Sequence, residues 1–180
     1  LVVFNNELYL FGSMNRVATP NTKFQVAKLN GEGADIIELP SLGNNNGVVY
    51  GGIVYQNELY IYGSFTASGG APANCNFVAK LNAAGNAWIP STTDPSISQF
   101  GTFGVGFRSA AVYDGRLVIG TDNTSSTPLR SLLGSNGAWT AHSGTKQQAN
   151  SIYCMQATPD GTRLAMGGSG SFDYIDSSAS

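Results

Sequence analysis

Val3-Phe4-Asn5-Asn6-Glu7-Leu8-Tyr9-Leu10-Phe11-Gly12-Ser13 returns as Val54-Tyr55-Gln56-Asn57-Glu58-Leu59-Tyr60-Ile61-Tyr62-Gly63-Ser64, an offset of 51 residues (59 minus 8). Further along, Val26-Ala27-Lys28-Leu29-Asn30 returns as Val78-Ala79-Lys80-Leu81-Asn82, offset by 52 (81 minus 29). A period near 50 built from short apolar runs marks a repeat architecture, because one such unit cannot bury its apolar surface alone.

Each repeat reads as four short strands. The first gives Val2–Asn5, Leu8–Gly12, Phe24–Asn30 and Asp35–Leu39; the second Val48–Tyr55, Leu59–Ser64, Phe77–Asn82 and Ala87–Ile89. The third is more diverged, with Ser109–Tyr113, Leu117–Thr121, Leu129–Gly134 and Ala138–Ala141, and the fourth gives Ser151–Ala157, Leu164–Gly167 and Phe172–Asp176. The expected fold is therefore all-β: a β-propeller segment of four-stranded antiparallel blades, three complete and a fourth partial. It forms one propeller domain, or part of one, over residues 1–180, with repeats at about 1–45, 46–103, 104–147 and 148–180. Two sheets packed face to face as a β-sandwich are the alternative. Both ends of the sequence fall inside a repeat, so an excerpt of a longer chain is expected.

The turns carry this parsing. Asn5-Asn6, Gln56-Asn57, Asp114-Gly115 and Asp160-Gly161 each stand between a first and a second strand, and Asn, Asp and Gly tolerate the positive φ of tight hairpins. The second strands are apolar at every position (Leu8-Tyr9-Leu10-Phe11, Leu59-Tyr60-Ile61-Tyr62, Leu117-Val118-Ile119, Leu164-Ala165-Met166), which predicts burial on both faces. A Gly follows each run (Gly12, Gly63, Gly120, Gly167), where a bend or a close approach is expected. The longest irregular stretch is Ser91–Gly106, whose length points to a functional or mobile segment.

Composition narrows the function classes. Charged residues are 11% of the chain, against about 25% in a typical soluble domain. With a net charge of -2 and no basic stripe, nucleic acid is not an expected partner. No run approaches the roughly 18 apolar residues of a membrane span, so no membrane insertion is expected. Cys75 and Cys154 lie in non-adjacent repeats, too far apart for the roughly 7 Å that a disulfide spans, and are expected to be free thiols.

Catalysis finds little material. His142 is the only histidine, in a polar Ala-His-Ser-Gly turn that reads as surface. Ser-His-Asp chemistry would have to use it, and no nucleophile-elbow pattern surrounds any Ser. Copper chemistry of the galactose-oxidase kind would need two His. Thr158-Pro159-Asp160-Gly161-Thr162 is similar to the Asp-box turn of sialidases but lacks its closing Trp, so an Asp-Gly hairpin is the better reading. Asp173 and Asp176 are three apart on a strand and point to opposite faces, a poor start for a metal site. Asn123-Thr124-Ser125 matches a glycosylation sequon. Trp88, Trp139 and the second-strand Tyr residues stand at repeat-matched positions, which favours packing over a sugar-stacking platform.

The second repeat with its flanks runs Gly43-Asn44-Asn45-Asn46-Gly47-Val48-Val49-Tyr50, Leu59-Tyr60-Ile61-Tyr62-Gly63-Ser64-Phe65-Thr66, Asn76-Phe77-Val78-Ala79-Lys80-Leu81-Asn82 and Trp88. It resembles the kelch-like propeller repeats of cell-surface proteins, including the fungal cortical polarity-marker family and secreted bacterial and viral proteins. The resemblance covers the first two repeats, reaches the third through Leu117–Gly120 and Trp139, and is weak in the fourth. Two repeats carry Gly-Ser for the usual Gly-Gly, and the Trp position of the first falls at about Ile36 or Ile37. The resemblance implies a scaffold or binding surface, with no family-wide catalytic residues to carry over.

The expected function is thus a non-enzymatic structural or interaction module of an extracellular, cell-surface or virion protein such as a phage appendage. It needs no cofactor and no metal, and it binds a protein partner in a larger assembly, or a glycan, through one propeller face. The alternative is part of an extracellular glycan-active enzyme whose catalytic residues lie elsewhere. Loops on a rigid scaffold are where recognition concentrates. The loops Met14–Lys23, Phe65–Asn76 and Asp122–Pro128 should share a face with the inter-repeat connections, which makes Asn15, Arg16, Asn74, Asn76, Phe100, Phe103 and Asp122 the candidate binding residues. Phe100, Phe103 and Phe107, interleaved with Gly101, Gly104 and Gly106, are expected to anchor their segment to a partner or to the next blade.

Overall fold

A computed structural model describes residues 1–15, 23–29, 36–40, 42, 47–66, 75–91, 106–121, 129–132, 134, 137–141, 151–169 and 172–176, with backbone only at 130, 141, 172–174 and 176. The described residues form fifteen strands and no helix. They fall into two compact units, Leu1–Ser91 and Thr92–Ser180.

The first unit holds two four-stranded antiparallel sheets, each a meander in chain order. One comprises β1 (Val2–Phe4), β2 (Glu7–Asn15), β3 (Lys23–Leu29) and β4 (Ile36–Glu38); the other β5 (Val49–Tyr55), β6 (Glu58–Gly63), β7 (Val78–Leu81) and β8 (Trp88–Pro90). The second unit repeats the pattern with β9 (Phe107–Tyr113), β10 (Arg116–Thr121), β11 (Leu129–Leu132) and β12 (Trp139–Ala141). A three-stranded sheet follows, of β13 (Ser151–Ala157), β14 (Arg163–Ser169) and β15 (Phe172–Asp176).

The turn chemistry works as the side chains dictate. Asn5, Asn6, Gln56, Asn57, Asp114 and Gly115 all take positive φ, between 49° and 66°, the pairing that matches the right-handed twist of a two-residue hairpin. The fourth hairpin departs from the expected Asp160-Gly161 turn. It spans the longer Thr158–Thr162 loop, closed by Gly161 N–H donating to Thr158 O and Thr158 N–H to Arg163 O. The Asp160 carboxylate accepts from the Thr158 hydroxyl and from both the amide and hydroxyl of Thr162, which supplies the order that a positive-φ pair supplies elsewhere.

Cross-strand partners share a face, and register sorts each sheet into two. In the first sheet Tyr9 pairs with Val2 and Lys28, and Phe11 with Val26, which defines a tyrosine face. Val3 pairs with Leu8, and Leu10 with Ala27; Leu29 pairs with Ile36, and this set defines a leucine face. Tyr9, Phe11 and Val26 pack on Leu59, Ile61, Ala79, Leu81 and Trp88, the leucine face of the second sheet. Gly52 makes room for this: a Cβ there would collide with the Phe11 ring. Trp88 Nε1 donates to Pro40 O at 3.0 Å, and Gln25 holds Gly47 O and Leu42 N–H, which ties down the connection between the two sheets.

The second unit uses the same polarity. Val118, Ala111, Tyr113 and Leu129, at the tyrosine-face positions of its first sheet, pack on Ile152, Leu164 and Met166. Here the large and small partners change sides: Ile152 presses on Gly120, where a Cβ would lie 2.8 Å from the Ile152 Cβ. Ser109 Oγ donates to Ile152 O, and Asp114 N–H donates to Gly161 O, which links the two hairpin turns.

Candidate functional site

The loop end expected to bind is described at Asn15 and Asn76. Asn15 is exposed, but it is the last residue of β2, paired with Lys23, and not a loop residue; β2 continues past an irregularity between Phe11 and Met14. Asn76 is half-buried just before β7, where Val78 N–H donates to its carbonyl and Phe77 takes φ of 63°. Arg16, Asn74, Phe100, Phe103 and Asp122 lie outside the described residues, as do His142, the Asn123 sequon and most of Ser91–Gly106. Two neighbours expected in the loops are core instead: Phe65 and Cys75 are fully buried in the first unit. Phe107 is buried in β9. Thr121 Oγ1, at the end of β10, is buried and has no hydrogen-bond partner among the described residues.

Away from the loops, the repeat builds a polar cluster twice. Glu7 accepts from Lys28 Nζ at 2.7 and 2.9 Å and from Tyr9 Oη at 3.1 Å. Glu58 accepts from Lys80 Nζ at 3.0 and 3.1 Å and from Tyr60 Oη at 3.0 Å. The lysine is brought there by register, since Tyr9 faces Lys28 and Tyr60 faces Lys80 across the second and third strands. Lys28 beside Glu7 holds that carboxyl below its usual range. Burial, reinforced by the adjacent Glu7, pushes Tyr9 up to about 12, and burial raises Tyr60 as well. The three groups satisfy one another, so the cluster works as a clamp between strands.

Other titratable groups are equally occupied. Hydrogen bonds from Thr158 and Thr162 hold the Asp160 carboxyl down at about 2. Both cysteines are free; burial pushes the Cys75 thiol up to about 11, which suppresses the thiolate. Among the described residues no three His, Cys, Asp or Glu side chains converge as metal ligands would. Trp88, Trp139, Tyr9 and Tyr60 are all buried, so none offers a stacking surface to a sugar.

The leucine face of the first sheet is different. Val3 is 66% exposed and Ile36 60%, with Leu8, Leu10 and Leu29 half-buried between them. Of the matching residues of the second sheet, Leu59, Ile61, Leu81 and Trp88 are at most 5% exposed and Val54 is half-buried.

No family model and no curated protein matches the chain. Among solved structures, it is similar to the extracellular domain of a protein described as a hybrid two-component system of B. thetaiotaomicron. The identity is 12% and the TM-score 0.57, over 84% of this chain and 19% of that one. A second structure, the extracellular domain of a one-component system of the same species, aligns at 13% identity and a TM-score of 0.44, over 96% of this chain and 26% of the other. The chain thus spans about a fifth to a quarter of the proteins it matches, and the first likeness is one of fold. No helix among the described residues is long and apolar enough to cross a membrane.

Proposed function

We infer that the chain is a segment of a kelch-like β-propeller acting as a non-enzymatic interaction module of an extracellular, cell-surface or virion protein. Each of its sheets serves as a blade, and the loops after the second strands take a protein partner or a glycan. The observation that carries this reading is the packing polarity: in both units the tyrosine-face positions of one sheet sit on the leucine face of the next. Each blade is then a rigid scaffold whose loop ends are free to vary. The extracellular standing of the structural neighbour supports the placement outside the cell.

With so few charges, recognition rests on hydrogen bonds and apolar contact, and affinity should change little with salt. A glycan array and a capture screen against surface proteins, followed by titration from low to high salt, test this. The expected result is a ligand whose affinity falls in the variant Asn15→Ala with Asn76→Ala and varies weakly with ionic strength. A steep salt slope, or turnover of a glycan lost on changes within this chain, would overturn the reading.

A further inference from the structure

In three of the four sheets the first strand carries one extra residue at the same place. Val49 and Gly51 pair with the consecutive residues Gly63 and Tyr62, which leaves Tyr50 as a β-bulge. Arg108 is skipped in the same way between Phe107 and Ser109, which face Thr121 and Gly120. Tyr153 is skipped between Ile152 and Cys154, which face Gly168 and Gly167. Glycine admits the bulge, since a Cβ on Gly63 or Gly168 would run into the backbone of the bulged strand. All three extra residues are exposed, Tyr50 at 38% and Tyr153 at 49%. A bulge re-aims a side chain, and bulges recur beside functional sites.

Within the second unit two of these bulges meet. The Arg108 guanidinium lies over the Tyr153 ring, 5.4 Å from its centroid. The residues beside them are locked together: Ser109 Oγ donates to Ile152 O at 3.3 Å, and both residues are at most 5% exposed, packed at Gly120. An exposed arginine and a half-open ring are thus held side by side on a rigid base.

We propose that Arg108 and Tyr153 form a binding site for a sugar that bears a carboxylate, such as a uronic acid residue. A guanidinium over a ring keeps its N–H donors in a planar fork that matches both oxygens of a carboxylate. The ring beside it gives the C–H groups of a pyranose an apolar surface, with the Tyr hydroxyl as a polar handle. The backbone disfavours an extended acidic peptide. β9 and β13 each stand last in their sheet among the described strands, but the bulges interrupt the ladder that an added strand would need. A single exposed ion pair also keeps the salt dependence shallow. Both residues stand on first strands, so the site goes beyond the loop reading above and does not depend on it.

The test is an NMR titration of the whole labelled chain with trigalacturonate and with sialyllactose. Their uncharged counterparts, the methyl ester of the first and lactose for the second, are run beside them, as is a glutamate-rich peptide. At least one acidic sugar should give saturable shifts at the Arg108 and Tyr153 amides, with its counterpart at least about tenfold weaker. Arg108→Gln and Tyr153→Ser, both at exposed positions, should each lower that affinity by about tenfold or more with the rest of the spectrum unchanged. Arg108→Lys should recover only part of the loss, because it restores the charge without the fork. Gln156→Ala, exposed further along β13, should bind as the parent chain does. Absence of saturable shifts with both acidic sugars would overturn the proposal. So would equal binding of the uncharged sugar or of the peptide, or binding that survives both Arg108→Gln and Tyr153→Ser.

Discussion

The two units solve one packing problem with different chemistry. In the first, an aromatic ring of the earlier sheet meets a glycine of the later one, Phe11 on Gly52, and a Glu–Tyr–Lys cluster clamps the second strand to the third in both sheets. In the second, the bulk comes from the later sheet, Ile152 on Gly120, and the cluster positions hold Arg116, Val118 and Ser131, then Arg163, Ala165 and Tyr174. Ser131 Oγ and Thr140 Oγ1, 3.3 Å apart, are the modest polar substitute. The clamp is therefore dispensable to the fold, while the pairing of a large side chain with a glycine across the sheet interface is common to both units. Volume complementarity sets the architecture, and the ion pairs adjust its stability locally.

The largest effects should come from filling the glycine sites, and they should differ between units. Gly120→Ala places its Cβ against the Ile152 Cβ and Ser109 Oγ, which are held close to backbone, and should cost about 3 kcal/mol. Gly52→Ala meets the Phe11 ring, which can swing aside, and should cost about 1–2 kcal/mol. Urea denaturation of both variants checks this; equal costs, or the reverse order, would break the large-to-small account.

The clamp comes next. Lys80 is 5% exposed, so Lys80→Ala strands the Glu58 carboxylate against Tyr60 and should cost about 2 kcal/mol, less than a fully buried pair because Glu58 reaches solvent. Lys28→Ala breaks a more open pair and should cost under about 1 kcal/mol. Ser131→Ala, at the matching position of the second unit, should cost about 0.5 kcal/mol. A scan in which the three are equal would mean that the clamp adds nothing beyond the hydroxyl pair.

Acid should separate the units more gently. Because the folded Glu7 carboxyl titrates below its ordinary 4.5, its stabilisation is fully present above that value and fades as pH falls through the lower folded one. Glu7→Gln should therefore flatten the acid limb of the first unit's stability curve, followed by amide exchange. In the second unit the corresponding loss belongs to Asp160. It should develop between about pH 4 and the folded value of about 2, and be confined to the Thr158–Thr162 hairpin, where NMR titration would read it.

Much of the all-β fold was legible because turn residues and apolar runs recur at a fixed period, and hairpin pairing is local. The polarity of the sheets was not. Leu8-Tyr9-Leu10-Phe11 is apolar throughout, so the run announces burial but hides which face meets which neighbour. The alternation of aliphatic with aromatic residues inside it, repeated in Leu59-Tyr60-Ile61-Tyr62, was the available signal. The clamp was also missed, although Glu–Lys separations of 21 and 22 residues recur with the repeat. Charge pairs that far apart acquire meaning only once strand register is known. At the candidate site, Asn15 proved to be strand, because a strand that continues through an irregularity looks like a loop in sequence, and Phe65 and Cys75, outside any strand, proved to be core.

The central claim is that within each unit the tyrosine face of the earlier sheet packs on the leucine face of the later one, and the Phe11–Gly52 contact tests it most directly. A nuclear Overhauser spectrum of the labelled chain should show cross-peaks from the Phe11 ring protons to the Gly52 α-protons, with those α-protons shifted by the ring current. If the cross-peaks are absent and Gly52 resonates at ordinary glycine positions while both sheets are folded, the packing described here is wrong.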